Sequence, residues 1–470
     1  MTAERVRWPL TLALCGGYFL VLLDVTVVNI ALPQIGSDLH ADGSGLAWTV
    51  DAYAVPLAAL LLGSGAIGDR LGHRRVALLG LAGFGVASVL CALAPTIGVL
   101  IAARAMQGTG AALMLPGTLA LLVANARDEN ARNRLVGVWA ATGGAALPAG
   151  PVIGGLLVQA AGWRAVFWLS VPVVVLALIP VLGLARSRAT TPGSNTVDWG
   201  GAALLVTGLA CLVSAIIEAP RLPWLAVSLG TIAAGVACWF VVVERRARYP
   251  LLRIPHGARR ALAAACAVSG VMNLCVLGGL FLLTQLFQNV RGLSPVAAGF
   301  ATLPAMLPLP LLGAAAGRLI ARIGVWRGSA LGLMVSAVGF AGIAVMITGG
   351  GSVLLLCSLA VWGAGLAILT PAIVAAALHA VPDSPGAASG ASNTSRQTGG
   401  ALGVALFAAL AGPATGTSFT AHACALFLAA AVTFAVLGVL CGVGSRYLPE
   451  RSASPDLPSP TMVRTKRINS

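Results

Sequence analysis

The segment that decides the fold runs from Gly65 to Arg75 and reads G-A-I-G-D-R-L-G-H-R-R. It is short, charged and rich in glycine, and it separates two long apolar runs. A related segment, Gly317 to Arg327, reads G-R-L-I-A-R-I-G-V-W-R. Two glycines and two arginines recur at a constant offset of 252 positions: Gly65, Arg70, Gly72 and Arg75 correspond to Gly317, Arg322, Gly324 and Arg327. The repeat predicts that the chain contains two related halves.

The composition is that of a polytopic membrane protein. The chain has 470 residues, of which 58% are hydrophobic and only 9% are charged, and its mean hydropathy is +0.93. These values lie outside the range of soluble domains. The net charge of +15 is explained by retention of basic residues at the cytoplasmic ends of spans, so it indicates no nucleic-acid partner. The nine cysteines show no metal-ligand spacing and are expected to be packing residues.

Fourteen apolar runs approach the length of about 20 residues that a transmembrane helix needs. Continuous runs of this length predict an all-α protein, because a membrane barrel would show short alternating segments instead. The runs lie at 10–32, 46–66, 76–94, 97–124, 134–159, 163–184, 199–217, 223–243, 261–287, 295–317, 326–347, 353–378, 396–412 and 420–445.

The basic residues predict the orientation of the chain. An even number of spans puts both termini on one side, and 25 of the 29 lysines and arginines fall in the segments assigned to that side, Arg396 among them. The opposite segments hold only Arg164, Arg221 and Arg291. Since positive loops stay inside, we expect both termini to be cytoplasmic and the membrane to be a bacterial-type cytoplasmic (inner) membrane.

A second set of repeated residues defines the domains. Glycines and a proline of the fourth run return in the twelfth, where Gly108, Gly110 and Pro116 correspond to Gly363, Gly365 and Pro371. We therefore expect an N-terminal six-helix bundle at 1–184 and a C-terminal six-helix bundle at 261–445. A linker at 185–260 would hold two extra helices, and 446–470 would be a disordered cytoplasmic tail. Two like-oriented halves indicate a transporter whose site lies between them.

Away from their ends, the predicted spans contain three charged residues, at depths where charges are costly and often functional. Asp24, Asp51 and Arg104 all lie in the outer half of the N-terminal bundle. An apolar cavity favours a neutral carboxylic acid and a nearby guanidinium favours the anion, so protonation of Asp24 could follow conformation. The alternatives are a permanent ion pair between Asp24 and Arg104, and an Asp51 that only reaches the headgroups.

The fifth run contains a glycine- and proline-rich stretch, A-A-T-G-G-A-A-L-P-A-G-P-V-I-G-G, from residue 140 to 155. Gly150 and Gly154 form a face that another helix can approach closely. Pro148 and Pro151 remove backbone donors and bend the axis. The stretch is either a flexible seam between the halves or a site of simple close packing.

A polar and aromatic stripe on the ninth run is a candidate cavity lining for an amphipathic solute. The residues at helical spacing there are Asn273, Leu277, Phe281, Gln285 and Gln288. The alternative is that the glutamines mark the outer end of the span. Further candidate cavity residues are Trp139 and Trp362, although membrane tryptophans are more often interfacial or packing residues.

These motifs, taken in order, resemble those of the fourteen-spanner drug:proton antiporters of the major facilitator superfamily. Gly65–Arg75 is similar to the loop between spans two and three, although Gly68 stands where alanine is common. The first-span signature is matched from Leu23 to Pro33, and Arg104-x-x-Gln107-Gly108 resembles the fourth-span motif. Further matches are Gly150-Pro151-x-x-Gly154-Gly155, typical of exporters, and the second-half motifs Gln288–Pro295 and Arg396-Gln397-x-Gly399-Gly400.

The resemblance implies export of a lipophilic small molecule, such as a drug, dye or antibiotic, in exchange for inward protons. It implies a role for Arg104 in proton coupling, with Asp24 as the proton carrier. It implies no cofactor, since the proton gradient would drive transport. The partners would be the small molecule, protons and the lipid bilayer. Alternatives are a dedicated exporter of one secondary metabolite, an importer, or a membrane-embedded transferase; the five scattered histidines do not favour an enzyme.

The repeated charged turn is then interpreted as a cytoplasmic gate formed by Gly65, Asp69, Arg70, Gly72 and Arg74. Asp69 lies at the C-terminal end of a helix, where the helix dipole disfavours an anion. We expect it to find a compensating partner, a helix N-terminus or an arginine of the other half, when the cytoplasmic side is shut. The second copy has Ala321 at this position, so only the first copy would form the latch.

Overall fold

The computed structural model describes residues 8–126, 128–183, 199–246, 258–347, 351–382 and 384–445. These ranges contain helices and no β-strand. The predicted tail at 446–470, and the linker segments on either side of the two extra helices, lie outside the described residues.

Fifteen α-helices form the described part of the chain. In order they are α1 (Trp8–Asp38), α2 (Gly43–Leu71), α3 (His73–Ala92), α4 (Ile97–Ala124), α5 (Glu129–Ala161), α6 (Arg164–Leu182), α7 (Trp199–Glu218), α8 (Pro223–Arg246), α9 (Arg259–Gln285), α10 (Pro295–Met306), α11 (Pro308–Ile323), α12 (Val325–Ile347), α13 (Ser352–Ala380), α14 (Pro385–Ala411) and α15 (Phe419–Gly444). A π-helical turn at Leu286–Val290 extends α9.

Twelve helical segments among the described residues are long and apolar enough to cross a membrane, with α10 and α11 together forming one of them. Helix α7 contributes only a shorter apolar helix, Ala203–Glu218, and α14 is not among the twelve. Every one of the fourteen predicted runs overlaps a helix of the structure. The protein is therefore an all-helical, multi-pass membrane protein.

Helix α14 differs most from the sequence expectation. The predicted run began at 396 and left Arg396 at a cytoplasmic end, whereas the helix begins at Pro385 and Arg396 lies eleven residues inside it. The neighbouring helix α9 holds this part of α14 through two hydrogen bonds. Ser395 Oγ donates to the carbonyl of Cys266 at 2.7 Å, and Asn273 Nδ2 donates to the carbonyl of Arg396 at 2.9 Å.

The predicted run at 295–317 is divided in the structure into α10 and α11. The division falls at Leu307, and Pro308 begins the second helix. Proline has no backbone N–H and its ring clashes with the preceding helical turn. The single span therefore consists of two helical pieces.

The two halves repeat the same close helix contact. A Cβ atom built on Gly80 of α3 would lie 2.7 Å from the backbone nitrogen of Met114 in α4. One built on Gly332 of α12 would lie 2.6 Å from the backbone nitrogen of Leu369 in α13. These residues are related by the offsets of 252 and 255 found in the sequence. The repeated turn also recurs, since Gly72 and Gly324 both have φ of 90°, a conformation that favours glycine.

The halves meet along two pairs of helices, α2 against α14 and α5 against α10. Helices α7 and α8 pack on each other, and α7 also contacts α2 and α14. We call the side where α1 and α5 end the Asp38 face, and the opposite side the Trp8 face. Close to the Asp38 face, a Cβ atom on Gly155 would lie 2.6 Å from the carbonyl oxygen of Pro295, and Gln288 Nε2 donates to the carbonyl of Ile30 at 2.9 Å. The halves are in contact near this face.

The glycine contacts within each half predict that Gly108→Ala and Gly363→Ala destabilise the protein. An added Cβ would collide with the carbonyl oxygen of Tyr53 at Gly108 and with that of Ala305 at Gly363, and such overpacking costs about 1–3 kcal/mol. We expect lower thermal unfolding midpoints for both variants in detergent.

The matched control is Gly98→Ala, in the same helix as Gly108, because a Cβ there meets no atom within 4 Å. Its midpoint should equal or exceed that of the wild type, since alanine is the better helix former. Equal midpoints for Gly108→Ala and Gly98→Ala would contradict the close-contact explanation.

Candidate functional site

A buried ion pair lies in the middle of the N-terminal half. Arg104 Nη1 contacts Asp24 Oδ2 at 2.5 Å, and the two side chains are only 1% and 4% exposed. Asp24 is contributed by α1 and Arg104 by α4. The structure therefore brings together the two charges that the sequence placed at similar depth.

Gln107 connects the pair to its surroundings. Its Oε1 accepts from Arg104 Nη1 at 2.7 Å, while its Nε2 donates to Asp24 Oδ1 at 3.3 Å and to Ser88 Oγ at 2.9 Å. Arg104 Nε donates to the carbonyl of Thr49 at 3.0 Å. The network thus joins α1, α2, α3 and α4. Gln107 was not singled out from the sequence as a site residue, although its i, i+3 spacing from Arg104 puts both on one helix face.

Aromatic rings enclose the guanidinium. The Cζ atom of Arg104 lies 4.4 Å from the ring centroid of Tyr53 and 5.8 Å from that of Phe167, distances at which a cation is attracted to the ring face. Tyr53 is itself fixed, because its hydroxyl donates to the carbonyl of Val21 at 3.1 Å. Arg104 is therefore held whether or not Asp24 carries a charge.

Asp51 is fully buried and lies on α2, one helical turn after Ala47. Ala47 borders a gap between α2, α7 and α14. Neither carboxyl oxygen of Asp51 has a hydrogen-bond partner in the part of the chain that the structure describes. Asp51 is thus a second enclosed acidic group, separate from the Asp24 network.

A cavity of about 500 Å³ lies between the two halves. Helices α1 and α5 line one side, and α9, α10, α11, α13 and α14 line the other. Most of the lining is aliphatic. Its polar or charged members are Tyr18, Thr26, Asn273, Thr370, Arg396 and Gln397. A volume in this range suits a drug-sized molecule.

Of the residues that the sequence suggested for the cavity, Asn273 and Leu277 line it. Trp139 is not part of the lining but stacks on Tyr18, which is, with centroids 3.7 Å apart and planes 9° from parallel. Trp362 is completely buried and packs against Phe340, and the cavity lining does not include it.

Phe281 and Gln285 are buried outside the lining, and Gln285 accepts from Asn289 Nδ2 at 2.6 Å. The sequence interpretation missed Tyr18 and Arg396 as cavity residues. The sequence did contain a signal for Arg396, an arginine at the start of a predicted span, but the small polar residues before it suggested a loop.

The glycine- and proline-rich stretch of α5 has two separate faces. Gly150 and Gly154 pack against α1, where a Cβ on Gly154 would lie 3.0 Å from the carbonyl oxygen of Val27. Pro151 and Gly155 face α10 of the other half, and a Cβ on Gly299 would collide with the Pro151 carbonyl. Pro148 is buried within the same helix. One face therefore packs inside a half and the other forms contacts between halves.

The charged turn between α2 and α3 is described in part. Arg74 Nε and Nη2 donate to the carbonyls of Val181 and Leu182, at 3.1 and 2.6 Å, and so tie the turn to the end of α6. Arg70 is exposed. The side-chain surroundings of Gly65 and Asp69 lie outside what the structure describes, so the expected partner of Asp69 is untested.

Comparison with known proteins identifies relatives over most of the chain. The tetracenomycin C resistance and export protein of Streptomyces glaucescens is 34% identical over 420 residues, covering 88% of this chain and 77% of that protein. The multidrug resistance protein Stp of Mycobacterium tuberculosis is 33% identical over 403 residues, covering 84% and 74%.

Among solved structures, the peptide transporter POT in complex with sulfate superposes with a TM-score of 0.70 at 17% identity, covering 94% of this chain and 96% of that one. This likeness shows the fold. A family model described as Major Facilitator Superfamily matches residues 14–404. The chain belongs to the major facilitator superfamily and is a membrane transporter rather than an enzyme.

Proposed function

We propose that the protein exports lipophilic small molecules, such as drugs or antibiotics, across the cytoplasmic membrane in exchange for protons, by alternating access. The observation that carries the proposal is the buried ion pair between Asp24 and Arg104, because Asp24 belongs to α1, a helix that also lines the cavity between the halves. The names of the relatives, which describe resistance and export, support the direction of transport. The proposal includes fourteen transmembrane helices, with α7 and α8 as an inserted hairpin between two six-helix bundles.

The proposed orientation puts the Trp8 face in the cytoplasm, following the distribution of basic residues. The Asp38 face would then be outside, where the halves touch. The cavity lies on the cytoplasmic side of these contacts. This arrangement corresponds to the state in which an exporter collects its substrate.

Helix α1 is the element through which protons and substrate would communicate. Asp24 forms the ion pair with Arg104, while its neighbours Val25 and Thr26 line the cavity. Protonation of Asp24 would remove the negative partner of Arg104, which keeps its contacts with Thr49 and Gln107. The change releases α1 from α4 and alters the cavity wall. One elementary charge crossing 100 mV supplies about 2.3 kcal/mol for this cycle.

Two other acidic residues have proposed roles beside Asp24. Asp51 would be a second protonatable position, because an ionised carboxylate buried without a partner is costly and its oxygens have none among the described residues. Asp69 would close the cytoplasmic side as a latch together with Arg70 and Arg74. The α5 stretch would act as the seam along which the halves separate.

Asp24→Asn should abolish gradient-driven transport while leaving substrate exchange intact. The amide preserves the size of the side chain but cannot carry a proton, so we expect proton-driven efflux from proteoliposomes to fall by about tenfold or more. Counterflow, in which labelled and unlabelled substrate exchange without a pH gradient, should continue because it requires no net proton movement.

The matched control is Asp42→Asn. Asp42 caps α2 through the backbone N–H of Gly45 and pairs with Arg221 at the protein surface, and asparagine caps a helix equally well. This variant should transport like the wild type. Full gradient-driven transport by Asp24→Asn would show that Asp24 is not the coupling residue.

Gly155→Val should weaken the contact between the halves at the Asp38 face. Its Cβ would lie 2.6 Å from the carbonyl oxygen of Pro295 in α10, so the halves must separate to accommodate the side chain. Pulsed EPR between spin labels at 161 and 290, in a cysteine-free background, should report a longer mean distance than in the unsubstituted protein.

Gly137→Val is the control on the same helix, since a Cβ at Gly137 meets no atom within 4 Å. It should leave the distance distribution unchanged. If both variants gave the same distribution as the parent protein, the α5 contact would not hold the Asp38 face closed.

A further inference from the structure

Among the described residues that line the cavity, Arg396 is the one with a formal charge, and none is acidic. We propose that Arg396 is an anion-binding position, and that the transported molecules carry an acidic oxygen group, a carboxylate or an ionised phenol or enol, on an apolar body. This inference rests on the proposed export function and specifies the substrate class of the same cavity.

The hydrogen bonds of Arg396 leave most of its guanidinium available. Nη2 donates to Asn393 Oδ1 at 2.9 Å, one turn earlier on α14, and this is its only side-chain hydrogen bond to the described residues. A guanidinium has five N–H donors. The contact with Asn393 orients the group without neutralising it, and several donors remain for a ligand.

The described part of the C-terminal half contains no acidic side chain that could serve as a counter-ion to Arg396. From Arg259 to Ser445 the sequence contains a single acidic residue, Asp383, which lies outside the described residues. In the other half, Asp24 already pairs with Arg104. A guanidinium held inside an apolar bundle without a carboxylate is costly, and a bound anion removes that cost.

Arg104 and Arg396, one from each helical bundle, differ in the partners of their guanidinium groups. Arg104 has a carboxylate at 2.5 Å, two aromatic rings and a glutamine around it, and is 1% exposed. Arg396 lines a cavity and has an asparagine as its partner. The first is a closed network, while the second is open toward the space that a substrate would occupy.

The rest of the lining defines the body of the molecule. Tyr18 presents an aromatic ring that is held in place by stacking on Trp139. Thr370, Asn273 and Gln397 add neutral hydrogen-bonding groups, and the remaining lining is mainly aliphatic. A cation would meet a positive charge here with no carboxylate to balance it. The cavity therefore favours an amphipathic acid over a lipophilic cation.

The test compares three probes that share one body and differ in charge. These are 1-pyrenebutyrate, its neutral amide and 1-pyrenebutylamine, and their binding to the purified full-length protein in non-ionic detergent is measured by fluorescence anisotropy. We expect the wild type to bind the carboxylate about tenfold more tightly than the amide, as one charge-assisted hydrogen-bonded pair would give, and to bind the amine most weakly.

Arg396→Gln should remove the preference for the carboxylate while leaving amide affinity unchanged, and Arg396→Lys should keep part of it. Arg318→Gln, which removes an exposed positive charge from α11, should behave like the wild type. Unfolding midpoints establish that each variant is folded. Equal carboxylate and amide affinities in the wild type, or an undiminished preference in Arg396→Gln, would overturn the proposal.

The binding measurement contains no membrane gradient, so its outcome is independent of proton coupling. Gradient-driven transport of the three probes is measured separately in proteoliposomes. Transport of the amide or the amine without a carboxylate preference in binding would refute the anion site and retain the export function. A carboxylate preference in binding, without transport of any probe, would support the anion site and count against the export function.

Discussion

The organisation of the N-terminal half depends on a carboxylate and a guanidinium held 2.5 Å apart inside an apolar helical bundle. An ionised Asp24 is not stable there alone, because a buried charge that loses its partner is strongly destabilising. The pair therefore constrains α1 and α4 to remain together for as long as Asp24 is ionised. Under the proposed coupling, protonation of Asp24 would remove this constraint, while Arg104 would keep its other contacts.

The internal repeat makes the difference between the two halves informative. Glycine contacts between α3 and α4 recur between α12 and α13, and the turn glycines Gly72 and Gly324 share one backbone conformation. The charges do not follow this symmetry. Among the described residues, the first half holds Arg104 paired with an acid, whereas the second half holds Arg396 with an asparagine as its side-chain partner. We infer that the halves divide the task, with proton handling in the first and recognition of the substrate charge in the second.

Much of the architecture was predictable because it follows from hydropathy and glycine spacing. Length and apolarity predicted a multi-pass helical protein, and the similar depths of Asp24 and Arg104 anticipated a contact that the structure contains. The start of α14 was not predictable from hydropathy, since it contains polar residues and its hydrogen bonds to α9 join positions far apart in the sequence. The break at Leu307 follows from local proline chemistry, but the run has prolines at 304, 308 and 310 after its first residue, and the sequence did not indicate which one divides the helix.

The cavity was harder to predict, because periodicity identifies the face of a helix and not the neighbour that covers it. Asn273 lies in the lining, whereas Phe281 and Gln285 on the same predicted stripe are buried elsewhere. Tyr18 has no sequence signal apart from its aromatic type. Its place in the lining depends on stacking against Trp139, 121 positions later in the chain.

The most direct test of the account is infrared difference spectroscopy of the reconstituted protein as the pH is lowered. A protonated carboxylic acid has a distinct C=O stretching band. The account predicts that on acidification the wild type gains a component of this band that changes when substrate is added. That component should be absent from Asp24→Asn, in which Asp51 and the surface carboxylates still titrate, and present in Asp42→Asn. Identical spectra for the wild type and Asp24→Asn, with or without substrate, would contradict the role of Asp24 as the proton carrier.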